Sequence, residues 1–308
     1  MITALARDFA YLAGCEVIVP RDRRLSPIKW PERVCLVDVG SAEEEWSLIA
    51  QHARETDWTI VIAPEFDEFL LKRVRHVERS GGKLLSPNST TVSAAQNKQL
   101  TASQLAFFGI ATPRGGKFRS GFPLPRKLRY PAIIKPLCGA GSAGIQFVES
   151  PHAVVDLPAG ERFRIEEFCP GIPVSVSVLC GPNGHYVLPP GQQRISDDGS
   201  FRYLGGCVPL TAGLRHRAES LAHSVTRAAV LSTGYIGIDM VLAEKARRDC
   251  AVVIEVNPRL TTSYVGLREL ARCNLAQAMI DVAEGRTPDL SFDESPVEFL
   301  ADGTILRD

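Results

Sequence analysis

The chain lacks any charge imbalance: 35 Lys and Arg residues meet 35 Asp and Glu residues, and no block of one sign runs through it. That excludes the basic stripe a nucleic acid or membrane surface would need. No apolar run is long enough to span a bilayer. The first apolar stretch carries Arg7 and Asp8, so a secretory signal is not expected either. Cysteine occurs eight times but always singly, with no CxxC pair and no Cys/His cluster of zinc spacing. A zinc site of the usual kind and a disulfide framework are both disfavoured, and reduced thiols in the cytoplasm are the expectation. Internal repeats and low-complexity tracts are missing. A chain of 308 residues with 45% apolar residues is then a soluble globular protein of two or three domains.

The chemistry concentrates in Val253-Ile254-Glu255-Val256-Asn257-Pro258-Arg259, read with Gly237-Ile238-Asp239 upstream. Tyr235 to Leu242 alternates, with Ile236, Ile238, Met240 and Leu242 on one face and Gly237 and Asp239 on the other. Ala251 to Asn257 reads as a second strand, with Val252, Ile254 and Val256 inward and Glu255 and Asn257 opposite. Glu244 to Asp249 forms a charged connection of hairpin type. If Leu242 and Ala251 lie near the turn, Asp239 falls almost opposite Glu255, with Cβ atoms roughly 5 Å apart. Asp, Glu and Asn oxygens at that spacing suit Mg²⁺, and Arg259 offers a donor fork for a phosphoryl or carboxylate group. The plainer alternative is a hairpin with a solvated polar face.

The first ninety or so residues alternate in the manner of a small α/β unit with a parallel sheet. Helix is expected over Met1 to Leu12, Glu43 to Glu55 and Asp67 to Ser80. Strand is expected over Cys15 to Pro20, Thr59 to Ala63 and Lys83 to Ser86, the last after a break at Gly81-Gly82. Such a unit should open with a strand, and this chain opens with a helix. Either the first strand is absent or the start codon is assigned too late.

Thr90 to Phe108 reads as one helical region containing Asn97-Lys98, followed by a strand from Pro131 to Pro136. Gly139-Ala140-Gly141-Ser142-Ala143-Gly144 matches the GxGxxG string of dinucleotide-binding folds, where the glycines open a helix. Ile145-Gln146-Phe147-Val148 follows at once and is strand chemistry, so a phosphate-covering flap between two strands is the better reading. Lys135 interrupts a buried-type strand just before this flap. A strand-end lysine is usually a snorkelling surface residue, but here a cation so placed reaches phosphate oxygens. Ile165 to Gly171 reads as a strand ending in a bend, able to present backbone donors and acceptors to a flat base.

Taken in this order, the pieces resemble the ATP-grasp superfamily of carboxylate–amine ligases over roughly Thr90 to Ala283. The resemblance implies an N-terminal parallel α/β domain over 1–89, possessing or lacking its first strand. An ATP-grasp fold over 90–290 would follow, with a small lid subdomain (about 110–165) and a larger antiparallel-sheet subdomain (about 166–290). A C-terminal tail or short hairpin would occupy 291–308. It further implies ATP as cosubstrate with two Mg²⁺ ions, Mn²⁺ being able to substitute. Lys98 and Lys135 would hold the phosphates under a flap containing Gly139, Gly141, Ser142 and Gly144. Glu166, Glu167, Phe168 and Cys169 would form the adenine hinge, the Glu167 carbonyl and the Cys169 N–H meeting the base edge. Asp239, Glu255 and Asn257 would ligate the metals, and Arg259 would face the transferred phosphoryl group.

One position departs from the family. The acid that often binds the ribose, seven residues after the first hinge Glu, is Pro173 here. Within the superfamily, Pro258 to Leu267, Gly171 to Ser177 and Ile62-Ala63-Pro64-Glu65 are similar to the tyramine–glutamate ligases of methanofuran biosynthesis. That implies small-molecule partners, glutamate and an aryl-ethylamine, and leaves a homo-oligomer open. Thr261, Thr262 and Ser263 would line the substrate site, with Tyr264 stacking on the aryl ring. A helix N-cap before Val265 is the bland alternative for these hydroxyls. A nucleotide-binding scaffold without catalysis, and a bicarbonate-dependent reaction on the same scaffold, are the other readings.

Overall fold

The computed structural model describes residues 1–26, 28–139, 141–229, 231–243 and 251–306. The charged connection expected over 244–249 and flap residue Ala140 lie outside them. Helix α1 (Ile2–Ala10) is followed by β1 (Val17–Asp22), β2 (Val34–Val39) and α2 (Ala42–Glu55). Helix α2 starts where Ser41 accepts from the Glu44 N–H at 3.2 Å, and Glu43, Glu44 and Glu45 complement the positive end of the helix. Strands β1 and β2 pair in parallel. The two further strands expected here do not extend. Thr59 and Leu84 form an isolated parallel bridge, and the Val61 N–H donates to the Ser86 hydroxyl instead of to a neighbouring backbone carbonyl. Helix α3 (Phe69–Arg79) buries Leu70, Leu71, Val74 and Val77 against Ala53, Val61 and Val92.

The helical region expected over Thr90 to Phe108 consists of two helices, α4 (Ser89–Ala95) and α5 (Lys98–Phe107). Asn97 divides them, because its side-chain oxygen caps the Gln99 and Leu100 N–H groups and so starts a new helix at Lys98. Next come β3 (Gly115–Arg119), β4 (Ala132–Pro136), β5 (Gln146–Val148) and β6 (Arg162–Glu167). They form a four-stranded antiparallel sheet ordered β3-β6-β4-β5, with Phe118, Ala132, Ile134, Val148, Phe163 and Ile165 in its own core. The GxGxxG string therefore connects two hairpin strands, and no helix follows it.

The remaining strands are β7 (Ile172–Gly181), β8 (Gly184–Val187), β9 (Gly191–Ile195) and β10 (Tyr203–Val208). Helix α6 (Ala212–Ala228) precedes β11 (Gly234–Leu242) and β12 (Ala251–Asn257). Helices α7 (Ser263–Leu270) and α8 (Leu275–Ala283) lead to the hairpin β13 (Val297–Leu300) and β14 (Ile305–Leu306). These eight strands make an antiparallel sheet ordered β12-β11-β7-β9-β10-β13-β14, with β8 beside β7. On one face Val174, Val176, Val178, Ile236, Ile238, Met240 and Leu242 pack under Ala218, Ala222 and Val225 of α6. The alternation read for Tyr235 to Leu242 is the one observed.

Strand β12 departs from its simple alternation. Asp239 faces Glu255, but the next pair is Met240 with Val253, so Ile254 is an extra residue at an irregularity of the bulge kind. The phase flips there. Val253 and Val256 enter the core, while Val252 and Ile254 stay only partly buried. Among the described residues, no helix is long and apolar enough to cross a membrane.

Candidate active site

A cavity of about 440 Å³ opens between the two antiparallel sheets. Its floor is the polar face of the larger sheet, with Ser175 on β7, Gln193 on β9, Asp239 on β11 and Glu255 and Asn257 on β12. Its roof is Lys135 on β4, flap residues Gly139, Gly141 and Ser142, and Glu166, Glu167, Phe168 and Cys169 at the end of β6. Arg259, Thr261, Thr262 and Ser263 close one side. Strand register alone sets Asp239 opposite Glu255 and Gly237 opposite Asn257. Gly237 is needed there, since a Cβ would stand 2.5 Å from Cγ2 of Thr261, whose loop folds back over the strand.

The charges are interlocked. Asp239 accepts from Asn257 Nδ2 at 2.9 Å and from Gln193 Nε2 at 3.1 Å. Burial, and then the Glu255 carboxylate, push Asp239 up to about 7. Burial acts the same way on Glu255, but Lys98 and Lys135 together draw it below its ordinary value. Lys98 lies 3.2 Å from Glu255 and donates to the Gly139 carbonyl at 2.8 Å, so the first lysine ties β12 to the glycine loop. Lys135 does not snorkel. It is 3% exposed, 2.5 Å from a Glu166 oxygen, and donates to the carbonyl of the extra residue Ile254 at 3.4 Å.

Glu166 is therefore committed by its side chain. Its second oxygen accepts from Arg164 Nε at 2.6 Å, while Arg164 also donates to Gln99 on α5 and to the Pro113 carbonyl. The following backbone is pinned from both sides, Glu167 N–H by the Arg114 carbonyl at 2.8 Å and Phe168 N–H by that of Pro131 at 2.9 Å. Pro173 lines the cavity where an acid would have offered acceptors.

In the flap, Gly141, Ser142 and Gly144 all have left-handed backbone, and the Ser142 hydroxyl donates to the Phe201 carbonyl at 2.6 Å. Gly144 does not line the cavity. Its φ of +72°, together with Pro136 Cγ 3.1 Å from where a Cβ would be, accounts for its place in the turn. Phe147, Phe168 and Phe201 cluster with ring centroids 5.3–6.2 Å apart, joining flap, hinge and the turn before β10. Lys98 at Gly139 and Phe201 at Ser142 anchor the glycine loop through hydrogen bonds. Amide exchange at 138–139 and 141–145 is expected to be slowed at least about tenfold by ATP with Mg²⁺; equal exchange in both states would remove the flap assignment.

Tyr264 requires correction. Its ring is fully buried beside Leu5, Tyr235 and Leu267, and its hydroxyl donates to Asp8 at 2.6 Å, so no substrate ring can stack on it. Thr262 occupies the N-cap position of α7, yet its hydroxyl makes no capping bond. Thr261 and Ser263 are buried in the wall. Arg259 donates through Nε to Glu65 at 2.8 Å and through Nη1 to the Leu260 carbonyl at 3.2 Å. Among the described residues no group of three His, Cys, Asp or Glu side chains is placed to hold a metal. Asp239, Glu255 and Asn257 offer two carboxylates and an amide as hard oxygen donors on the cavity floor.

Residues 95–263, more than half of the chain, match an ATP-grasp domain. The chain belongs to the ATP-grasp family. Residues 15–92 of this ATP-grasp chain match a pre ATP-grasp 3 domain. It is similar to the tyramine–L-glutamate ligase of Methanocaldococcus fervens, 27% identical over 243 residues, which is 79% of this chain and 71% of the relative. The same ligase of Methanocaldococcus jannaschii is 27% identical over 246 residues, 80% and 68% of the two chains. The crystal structure of an L-amino acid ligase from Bacillus licheniformis superposes with a TM-score of 0.71 at 20% identity, covering 91% of this chain and 71% of that one. That likeness is one of fold.

Glu65, Gln193, Phe147 and Phe201 went unassigned in the sequence of this ATP-grasp chain. Gln193 shares a face of β9 with Ile195, both lining the cavity, but Gly191-Gln192-Gln193-Arg194-Ile195 carries no apolar alternation to mark it. Phe201 lies at a left-handed position after Asp197-Asp198-Gly199-Ser200, where nothing local marks it as a cavity residue.

Proposed function

We propose that this chain is an ATP-dependent carboxylate–amine ligase that activates a carboxylate as an acyl phosphate, passes it to an amine, and releases ADP and phosphate. The observation that carries the reading is the convergence of Asp239, Glu255, Lys98, Lys135 and Arg259 on one cavity between two sheets. The names of its relatives support glutamate as the acyl donor and tyramine or another aryl-ethylamine as the acceptor.

The carboxylate pair fits Mg²⁺. Its members face each other on adjacent strands, and their mutual repulsion helps drive Asp239 up to about 7, a penalty that a hard cation relieves. Asp239, Glu255 and Asn257 would hold two ions, Mn²⁺ being able to substitute, and when bound these would neutralise phosphate charge. The rest falls to side chains and backbone. Lys98 and Lys135 orient the α- and β-phosphates, and the backbone of Glu167 and Cys169 takes the base edge. Flap N–H groups close over the phosphates and exclude water from the acyl phosphate. Arg259 steadies the oxygens of the transferred group as the donor carboxylate attacks the γ-phosphorus. Thr261, Thr262 and Ser263 hold the substrates beside it. With Tyr264 buried, the aryl ring of the acceptor must find its contact elsewhere in the wall.

The test is ADP release with ATP and Mg²⁺ against glutamate and amines singly and in pairs. Release is expected to require both, and product mass should equal their sum less one water. Use of a different amine would keep the ligase and change the acceptor. A requirement for bicarbonate would move the chain to carboxylation, and the failure of every pair to stimulate ADP release would favour a non-catalytic nucleotide binder.

A further inference from the structure

Two carboxylate–guanidinium contacts join the N-terminal residues to the segment after β12, and they are built differently. Asp8 on α1 engages Arg268 with both oxygens, through Nε at 3.1 and 3.0 Å and Nη2 at 2.7 Å, and also accepts from Tyr264. Every oxygen is used, as expected of a clamp whose task is to hold elements together. Glu65 meets Arg259 across 194 sequence positions with one oxygen only, Oε1 to Nε at 2.8 Å. The other oxygen is buried and has no hydrogen-bond partner among the described residues. A fork-to-fork pairing would have satisfied Oε2 and consumed the Nη2 edge of Arg259. As built, Nε is held by Glu65 and Nη1 by the Leu260 carbonyl, and Nη2 donates to no described residue although Arg259 lines the cavity.

We infer that Glu65 is a positioning residue: it grips Arg259 by the Nε edge so that the Nη2 edge is presented to an oxyanion in the cavity. This rests on the ligase reading above for the identity of that oxyanion, the transferred phosphoryl group or the acyl phosphate. A buried carboxylate with an idle oxygen is a poor device for stability alone. It is a good one for fixing a planar cation at a single edge. The backbone supports it, because Asp67 and Glu68 are both left-handed non-glycine residues that turn the chain sharply just after Glu65. The N-terminal unit thereby supplies part of the site's geometry without touching the cavity.

The experiment uses the full chain and has an arm independent of substrate. In ¹H–¹⁵N spectra of arginine side chains, the Arg259 Nε–H signal (assigned by its loss in Arg259→Lys) should be slow-exchanging in the native protein. It should exchange at the bulk rate in Glu65→Ala and keep its protection in Asp8→Asn. In the activity arm, Glu65→Ala should lower kcat for ADP release about thirtyfold or more with KM for ATP within about threefold. Glu65→Gln, which keeps an acceptor oxygen, should fall between. Added to Arg259→Ala, Glu65→Ala should cost no further loss, since a residue acting only through another is silent once that partner is gone. Additive losses in that pair, an Nε–H unchanged by Glu65→Ala, or an equal fall in kcat in Asp8→Asn would each overturn the proposal. If no substrate pair elicits ADP release, the ligase reading falls, and the spectra still decide whether Glu65 holds Arg259.

Discussion

Glu255→Gln is expected to lower ADP release by about a thousandfold or more, the scale of losing a metal ligand and its charge at a phosphoryl-transfer site, with the fold intact. Glutamine keeps the shape of Glu255 and removes its charge. Lys98, 3.2 Å away, loses its carboxylate partner but retains the Gly139 carbonyl. Asp239 gains, because one of the two causes that push it up to about 7 disappears. A carboxyl raised in the folded state binds a proton there that the unfolded chain does not, so between about 4 and 7 its contribution to stability falls as pH rises. The penalty is complete above about 7. Glu255, drawn below its ordinary value of 4.5, contributes stability that is nearly full by pH 5 and constant above about 6. In metal-free protein, Glu255→Gln should therefore compare better with the native chain at pH 8 than at pH 5, as read by chemical denaturation. Nucleotide binding should survive in part through Lys135, the hinge and the flap. Native turnover in this variant would end the metal assignment, and a pH-independent stability difference would end the electrostatic account of the pair.

The legible part of this site was the part encoded locally. Asp239 and Glu255 could be set opposite each other because β11 alternates cleanly and β12 returns beside it. Lys135 stood out as one cation in an apolar run, and the strand after the flap glycines separated a hairpin from a dinucleotide-binding turn. The bulge at Ile254 was not legible, since Val252, Ile254 and Val256 satisfy simple alternation as well as the observed pattern does. Tyr264 failed for a related reason: a tyrosine beside a row of hydroxyls looks the same in sequence whether its ring meets a ligand or the core. Only its contact with Asp8, 256 positions away, decides the matter. Glu65 with Arg259 is the same kind of long-range fact. In the N-terminal unit, Thr59 to Ala63 has strand chemistry but pairs through one residue, because β propensity reports fitness for a sheet and not the presence of a partner.

Glu166→Ala should behave as a core lesion, with chemical denaturation showing a loss of about 3–5 kcal/mol, the range for removing one partner of a buried ion pair. The hinge assignment alone would suggest something milder, a residue at the base edge whose loss weakens nucleotide binding. The geometry argues otherwise. Glu166 is 4% exposed, and its two oxygens are taken by Lys135 at 2.5 Å and Arg164 at 2.6 Å, which are 3% and 2% exposed. Truncation leaves two buried cations facing each other across the space it vacates, Lys135 at the cavity roof and Arg164 with Gln99 and the Pro113 carbonyl as its remaining acceptors. Lys135 retains only a 3.4 Å contact to the Ile254 carbonyl, so ATP affinity should fall with stability. Because the cluster is buried, the stability loss should hardly change between 0.05 and 0.5 M salt, where the screening length felt by an exposed pair shortens from roughly 14 to 4 Å. Amide protection should fall first in β4 and β6, which carry the three charges. Glu166→Gln separates the roles: it keeps the shape and one acceptor oxygen but not the counter-charge, and should retain most of the destabilisation. A midpoint shift worth less than about 1 kcal/mol, the scale of an exposed salt bridge, together with a selective loss of ATP affinity, would show Glu166 to be a nucleotide contact after all.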